Sequence, residues 1–191
     1  MPVRLATEDA VAQRIIAIRR LLKSLVRPGT TLTVERSKAT GAVLLYVHDG
    51  LLRGSTHGDS YFRSVNARYQ CQYHELWHAG KGGEWNLVQS YLTVFRRGNT
   101  RLEDPRQLLC LHVDPLEPES ERHWKLKRCP HLHVLTSEDP LPHMHIALEQ
   151  SRLKETLRSI ESLSQKLEQA VKMVRHQLVD VGLPAGEQIS L

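Results

Sequence analysis

Hydrophobic residues recur at helical spacing near the start of the chain. Between residues 7 and 26, apolar side chains fall three or four positions apart and line one face of a helix. Thr7 can cap its first turn, and the acidic Glu8 and Asp9 lie at the positive end of the helix dipole. We therefore predict a helix over 7–26, with its basic residues, Arg14 among them, on solvated faces.

The middle of the chain, residues 30–148, has the pattern of an antiparallel sheet. Short apolar runs rich in valine, leucine and aromatic residues are separated by glycines and prolines, and Ala39-Thr40-Gly41 is a turn candidate. Connections this short suit antiparallel pairs, because parallel neighbours need a long crossover. The predicted strands are Thr30–Val34, Ala42–Val47, Ala67–Trp77, Trp85–Phe95, Gln107–Val113, Trp124–Leu135 and His143–Leu148.

A long amphipathic helix is predicted over 149–183. Apolar residues recur at spacings of four and three from Leu153 to Val181, and Ser164 is the single polar residue of this seam. Such a heptad pattern is typical of a coiled coil that pairs with another chain. Packing against the N-terminal helix, whose apolar residues have the same spacing, is the alternative, and a helical hairpin that also pairs between chains would satisfy both.

The predicted fold class is α+β, an antiparallel β-sheet flanked by an N-terminal helix and a long C-terminal coiled-coil-like helix. We expect an α+β domain over 1–148, with its sheet over 30–148, then the helix over 149–183 and a tail over 184–191.

Composition narrows the classes of protein. The 191 residues are 40% hydrophobic and 25% charged, which is typical of a globular protein. No apolar run is long enough to span a bilayer, and the first residues lack the order of a signal peptide, so we expect a cytoplasmic protein with no membrane partner. Three cysteines, an odd number, argue against a disulfide framework. The net charge of +5 favours nucleic acid as a partner, with a solvated basic surface as the alternative.

The chain contains eleven histidines, and four of them stand in two Pro-His-x-His elements. These are Pro130-His131-Leu132-His133, preceded by Cys129, and Pro142-His143-Met144-His145. Residues two apart on a strand share a face, so adjacent antiparallel strands would bring four imidazoles and a thiolate together.

That set of nitrogen and sulfur donors fits Zn²⁺, and a carboxylate would make it suit Mn²⁺, Fe²⁺ or Ni²⁺. His112 and Asp114 follow Cys110 at alternate positions of one predicted strand and can supply a further ligand and its hydrogen-bond partner. Histidines that are partly exposed, or that bind an anion without metal, are the alternatives. The candidate metal ligands are Cys129, His131, His133, His143, His145, His112 and Asp114.

Basic residues lead directly into this stretch. Lys127 and Arg128 precede Cys129, where they can stabilise a phosphodiester beside a catalytic group, although basic residues are also ordinary at strand edges. The candidate catalytic residues are His131, His143, Lys127 and Arg128.

The paired elements resemble those of the TumE-type toxins of bacterial toxin–antitoxin systems. The matching residues are Pro130, His131 and His133, then Pro142, His143 and His145. The spacing differs, and Lys127-Arg128-Cys129 stands where that family has an aromatic-Asp-Asn run. The resemblance implies a role in a toxin or phage-defence locus.

The two His–hydrophobic–His triplets also look like the metal-holding strand of HUH endonucleases. That family places a nucleophilic tyrosine beside the metal. No tyrosine follows Tyr91, so the resemblance implies a relaxase-like order with Tyr46, Tyr61 or Tyr69 upstream.

Three functions compete for this site. The first is a metal-assisted nuclease or phosphodiesterase in a toxin or phage-defence system. The second is a non-enzymatic adaptor that binds itself, as a homodimer, or another protein through the helix from Leu153 to Val181. The third is a metalloenzyme of oxygenase or hydrolase type with an open site of two histidines and Asp114.

Overall fold

The computed structural model describes residues 3–26, 33–39, 41–48, 69–96, 106–113, 131–135, 143–147 and 158–176. For 33–39, 131–135, 143–147 and residues 48, 106 and 109 it describes the backbone. The helices in these ranges are α1 (Glu8–Lys23) and α2 (Ile160–Arg175). The strands are β1 (Arg4–Leu5), β2 (Thr33–Ala39), β3 (Ala42–His48), β4 (Tyr69–Ala79), β5 (Trp85–Arg96), β6 (Arg106–Val113), β7 (His131–Leu135) and β8 (His143–Ala147).

The described strands form one antiparallel sheet, as the sequence predicts. From β2 to β8 each strand pairs with the next one along the chain, and β1 pairs with β5. Gly41 has φ +70°, which glycine adopts without strain, and Ala39 pairs with Ala42, so the chain reverses where the turn is predicted. The strand β1 was not predicted, because two residues are too few to show an alternating pattern.

One face of the sheet carries the core. Along β4, Cys71, Tyr73, Glu75 and Trp77 are fully buried while the residues between them are half-buried. Both helices add apolar side chains to the same cluster, among them Ile18 of α1. The sheet and the two helices therefore share one core on this face of the sheet. The residues between the core residues along each strand belong to the opposite face.

The capping residues set where the helices begin. Thr7 Oγ1 accepts a hydrogen bond from the Ala10 amide at 3.2 Å, as predicted, and Ser159 does the same for the Ser162 amide at 3.2 Å. Of the helix predicted over 149–183, the structure describes 158–176 and shows a helix from Ile160 to Arg175. The predicted helix does not continue through Ser159, because this residue is extended (φ −154°, ψ 168°) and caps the first turn of α2. Residues 149–157 and 177–183 lie outside the described residues. Within the described part of the chain, neither helix is both long enough and apolar enough to cross a membrane.

The described part of α2 packs inside the chain. Leu167, Val171 and Val174 of the predicted seam are buried in the core. At the far end of α2, Arg175 Nη1 donates at 3.1 Å to the carbonyl of Ser24, the residue that follows α1. These seam residues thus follow the packing alternative, in which α2 lies against α1.

A buried ion pair joins α1 to the sheet. Arg14 donates from Nε and Nη2 to the Glu75 carboxylate at 2.5–3.1 Å, and solvent reaches almost none of either side chain. Glu75 also accepts from the Tyr73 hydroxyl at 2.5 Å and from Trp77 Nε1 at 3.1 Å. Because Arg14 Nη1 donates to Ser164 Oγ at 2.7 Å, one polar network connects α1, β4 and α2.

This network explains two polar residues of the helical patterns. The prediction that Arg14 lies on a solvated face is wrong, because its guanidinium is the buried partner of Glu75. The Ser164 hydroxyl accepts from Arg14 and donates to the Ile160 carbonyl at 2.7 Å. The hydroxyl of Ser164 joins the network, and this explains why the apolar seam contains one polar residue.

The contacts within the network determine the protonation states of Arg14 and Tyr73. Burial lowers the pKa of Arg14, but Glu75 and Tyr73, through their charges and hydrogen bonds, together raise it by more, so the pKa lies above its ordinary value. Burial and the same carboxylate both raise the pKa of Tyr73 well above its ordinary value. The guanidinium stays charged and the phenol keeps the proton that it donates to Glu75.

Replacing Arg14 by methionine should lower the free energy of unfolding by about 3–5 kcal/mol, because Glu75 would stay buried without its cation. Urea unfolding followed by circular dichroism measures this change. The double variant Arg14→Met/Glu75→Leu should recover part of the loss, since neither charge then remains in the core. The control is Arg19→Met, an exposed arginine of α1, with an expected change within about 0.5 kcal/mol. Equal losses of unfolding free energy for Arg14→Met and Arg19→Met would contradict the account.

Candidate functional site

The backbone register brings the predicted histidine pairs onto three neighbouring strands. His133 of β7 lies opposite Cys110 of β6 on one side and opposite His145 of β8 on the other. His131 lies opposite His112. Positions opposite each other in a ladder, and positions two apart on a strand, belong to the same face of a sheet. The positions that share this face are Cys110, His112, His131, His133, His143 and His145.

The register also ranks these positions by their separation. Opposite positions have Cβ atoms roughly 4.5–5.5 Å apart, and positions two apart on a strand are roughly 6.6 Å apart. His133 and His145 are opposite each other, whereas His143 lies opposite Leu135, four residues along β7 from His131. At about 3.3 Å per residue this offset is roughly 13 Å. The strands thus bring His133 and His145 together and keep His131 apart from His143.

The neighbouring strand β5 supports the β6 side of this group. Tyr91 lies opposite His112, and their rings stack with centroids 4.1 Å apart and planes 6° apart. Thr93 lies opposite Cys110, with Oγ1 and Sγ 3.0 Å apart. The imidazole of His112 and the thiol of Cys110 are therefore held in defined positions before any ligand binds.

A row of ring-bearing residues continues across the sheet in register. His74 lies opposite Tyr91, with ring centroids 5.1 Å apart, and opposite Tyr46 on its other side. Gln89 Nε2 lies 3.1 Å from His74 Nε2, within hydrogen-bond distance. Together with His112 and His131 the row crosses from β3 to β7. Sequence reasoning missed it because its members are far apart in the chain and only strand register aligns them.

Burial sets the protonation of His74. It lowers the pKa of the imidazole from the ordinary value of 6.5, while the nearby Glu75 carboxylate acts in the opposite direction. His74 is neutral at neutral pH, so its Nε2 can accept the hydrogen bond that Gln89 Nε2 donates, with the ring proton on Nδ1.

Two of the three cysteines lie on opposite faces of the sheet. Cys71 is on the face that the helices cover, and complete burial raises the pKa of its thiol. Cys71 is therefore a core residue, and Cys110 is the described cysteine on the histidine face.

Four predicted site residues lie outside the described part of the chain: Asp114, Lys127, Arg128 and Cys129. Their roles stay predictions. Among the residues whose side chains are described, no three His, Cys, Asp or Glu side chains are grouped so that they could hold a metal ion.

Comparison of the chain with protein-family models, with curated proteins and with solved structures finds no match. The resemblances to TumE-type toxins and HUH endonucleases rest on the motif residues alone.

The lowered pKa of His74 predicts a pH-dependent stability. The imidazole of His74 takes up a proton more readily in the unfolded chain than in the folded protein. The contribution of His74 to the free energy of unfolding is therefore complete above pH 6.5, and it declines as the pH falls from there through the folded-state pKa. Between about pH 7.5 and 5.5, the wild type should lose more unfolding free energy than His74→Gln, as measured by urea titration. His78→Gln, at an exposed histidine of the same strand, should follow the wild type. Parallel pH profiles for the wild type and His74→Gln would disprove this role.

Proposed function

We propose that the protein is a metal-dependent nuclease or phosphodiesterase whose metal is held by the histidines of β6, β7 and β8. The observation that carries the proposal is the strand register, in which His133 lies opposite His145 and His131 lies opposite His112. We further propose that it works in the cytoplasm as part of a toxin or phage-defence system, on the motif resemblance.

Histidines at these register positions suit a catalytic metal site. Catalytic zinc takes three protein ligands and leaves a position open for water. His133 and His145 would supply two ligands, and His131 or His112 the third. Cys129 and His143 are further candidate ligands, and Asp114 would make the site suitable for Mn²⁺.

The chemistry follows from such a site. A metal held there would supply a water acidic enough to act as the nucleophile on phosphorus at neutral pH. As the bond from phosphorus to the leaving oxygen breaks, that oxygen would take a proton from His143, or from His131 where His112 is the third ligand. Lys127 and Arg128 would stabilise the charge that develops on the phosphoryl oxygens.

Two further features support an enzyme of this kind. The net charge of +5 suits a polyanionic substrate such as DNA or RNA. The stack of Tyr91 on His112 and the contact of Thr93 with Cys110 fix one side of the group on rigid strands. Sites held by packed neighbours on strands keep the geometry that catalysis requires.

The adaptor alternative depends on the predicted seam from Leu153 to Val181, of which α2 carries the part from Ile160 to Val174. Its residues Leu167, Val171 and Val174 are buried against the rest of the chain. A homodimer or a partner helix would have to use the seam outside this stretch, or displace it from the core. The packing therefore favours the enzyme over the adaptor.

Replacing His133 and His145 together by alanine should abolish metal binding and cleavage. After dialysis against Zn²⁺ or Mn²⁺, elemental analysis should find about one ion per wild-type chain and little in the variant, because two of its three ligands are gone. Cleavage of labelled single- and double-stranded DNA and RNA should fall at least about 100-fold.

The matched control is His78→Ala, which removes an exposed histidine from β4 and should keep both metal and activity. Thermal unfolding without metal should show that the double variant folds like the wild type. A folded double variant that keeps its metal and its cleavage activity would disprove the site. A wild type that binds metal and cleaves no nucleic acid would instead indicate a structural metal in an adaptor.

A further inference from the structure

A cleft opens between the two helices, on the side of the sheet away from the histidine face. It has a volume of about 380 Å³ and is lined by residues of α1, by Ser24 at the end of α1, and by residues of α2. Pockets that hold small molecules usually enclose roughly 300–1,000 Å³, so the cleft is large enough for a small ligand.

Positive charge predominates around this cleft. Among the described residues that line it, Arg20 of α1 and Lys172 and Arg175 of α2 are cationic, and Glu168 is the one carboxylate. Glu168 pairs with Lys172 at 2.7 Å in an exposed ion pair, which solvent weakens. The charge of Arg14, which also lines the cleft, is balanced by Glu75 in the core. The excess of cations favours an anionic occupant.

The buried Arg14 points to an acceptor in the same place. Its Nη1 carries two N–H groups, and among the described residues the only acceptor within hydrogen-bond distance of Nη1 is Ser164 Oγ. Nη1 therefore has a second N–H group that can donate to an oxygen of a ligand in the cleft, beside its bond to Ser164.

We propose that this cleft binds a small organic phosphate. The phosphate oxygens would accept from Arg14 and from Arg20, Lys172 or Arg175, since guanidinium groups bind phosphate through paired N–H donors. Ala17 and Leu21 form an apolar wall for the organic part. The ligand would bridge α1 and α2, so its binding should stabilise the folded protein.

Phenyl phosphate is a suitable probe because it combines a phosphate with a small apolar ring. Calorimetry and thermal unfolding at low ionic strength should show binding and a raised Tm for the full-length protein. Inorganic phosphate should bind more weakly, and phenol, which lacks the phosphate, should not bind. Arg20→Gln should weaken the binding of phenyl phosphate by about tenfold, as expected for one charge-assisted hydrogen bond.

The matched control is Arg19→Gln, which removes the same charge from an exposed position of α1 that does not line the cleft. Its affinity should stay within about twofold of the wild type. Arg20 takes no part in the network around Glu75, so both variants should keep the Tm of the ligand-free protein. The absence of binding by phenyl phosphate would overturn the proposal. Equal weakening by the two substitutions would overturn it as well, since it would indicate only general attraction to a basic surface.

Discussion

The buried ion pair between Arg14 and Glu75 is the constraint on which the rest of the structure depends. Removing two charges from water costs several kcal/mol for each ion, and good geometry with further hydrogen bonds must offset that cost. Tyr73 and Trp77 donate to the carboxylate and Ser164 accepts from the guanidinium, so each charge has several partners. These bonds are directional, whereas apolar packing alone would allow the helices to shift. The network therefore fixes both helices over one face of the sheet.

Neighbouring residues of a strand belong to opposite faces of the sheet, so the two faces have different roles. Glu75 belongs to the face that the helices cover, and its neighbour His74 belongs to the opposite face. One face is used for packing, and the other presents a row of rings that leads through Tyr91 and His112 towards the positions of β7 and β8. The candidate site and the interhelical cleft are consequently on opposite sides of the sheet.

Local patterns in the sequence predicted the features that depend on residues close together in the chain. The cap at Thr7, the turn at Gly41 and the alternating strands all follow from residues close together in the chain. Arg14 could not be predicted in the same way, because an arginine in an amphipathic helix looks solvated until its partner, 61 residues away, is known. The same holds for the candidate site. The spacing of two between histidines predicts that each pair shares a face, but only the register shows that His133 faces His145 and that Tyr91 stacks on His112.

X-ray absorption at the zinc edge of the protein loaded with one equivalent of Zn²⁺ tests the central claim most directly. The metal is proposed to lie among the imidazoles at the register positions of β6, β7 and β8. The account predicts a first shell dominated by nitrogen at about 2.0–2.1 Å, with the outer-shell scattering of two or more imidazole rings. A shell of oxygen ligands without imidazole scattering, or protein that retains no zinc, would contradict it.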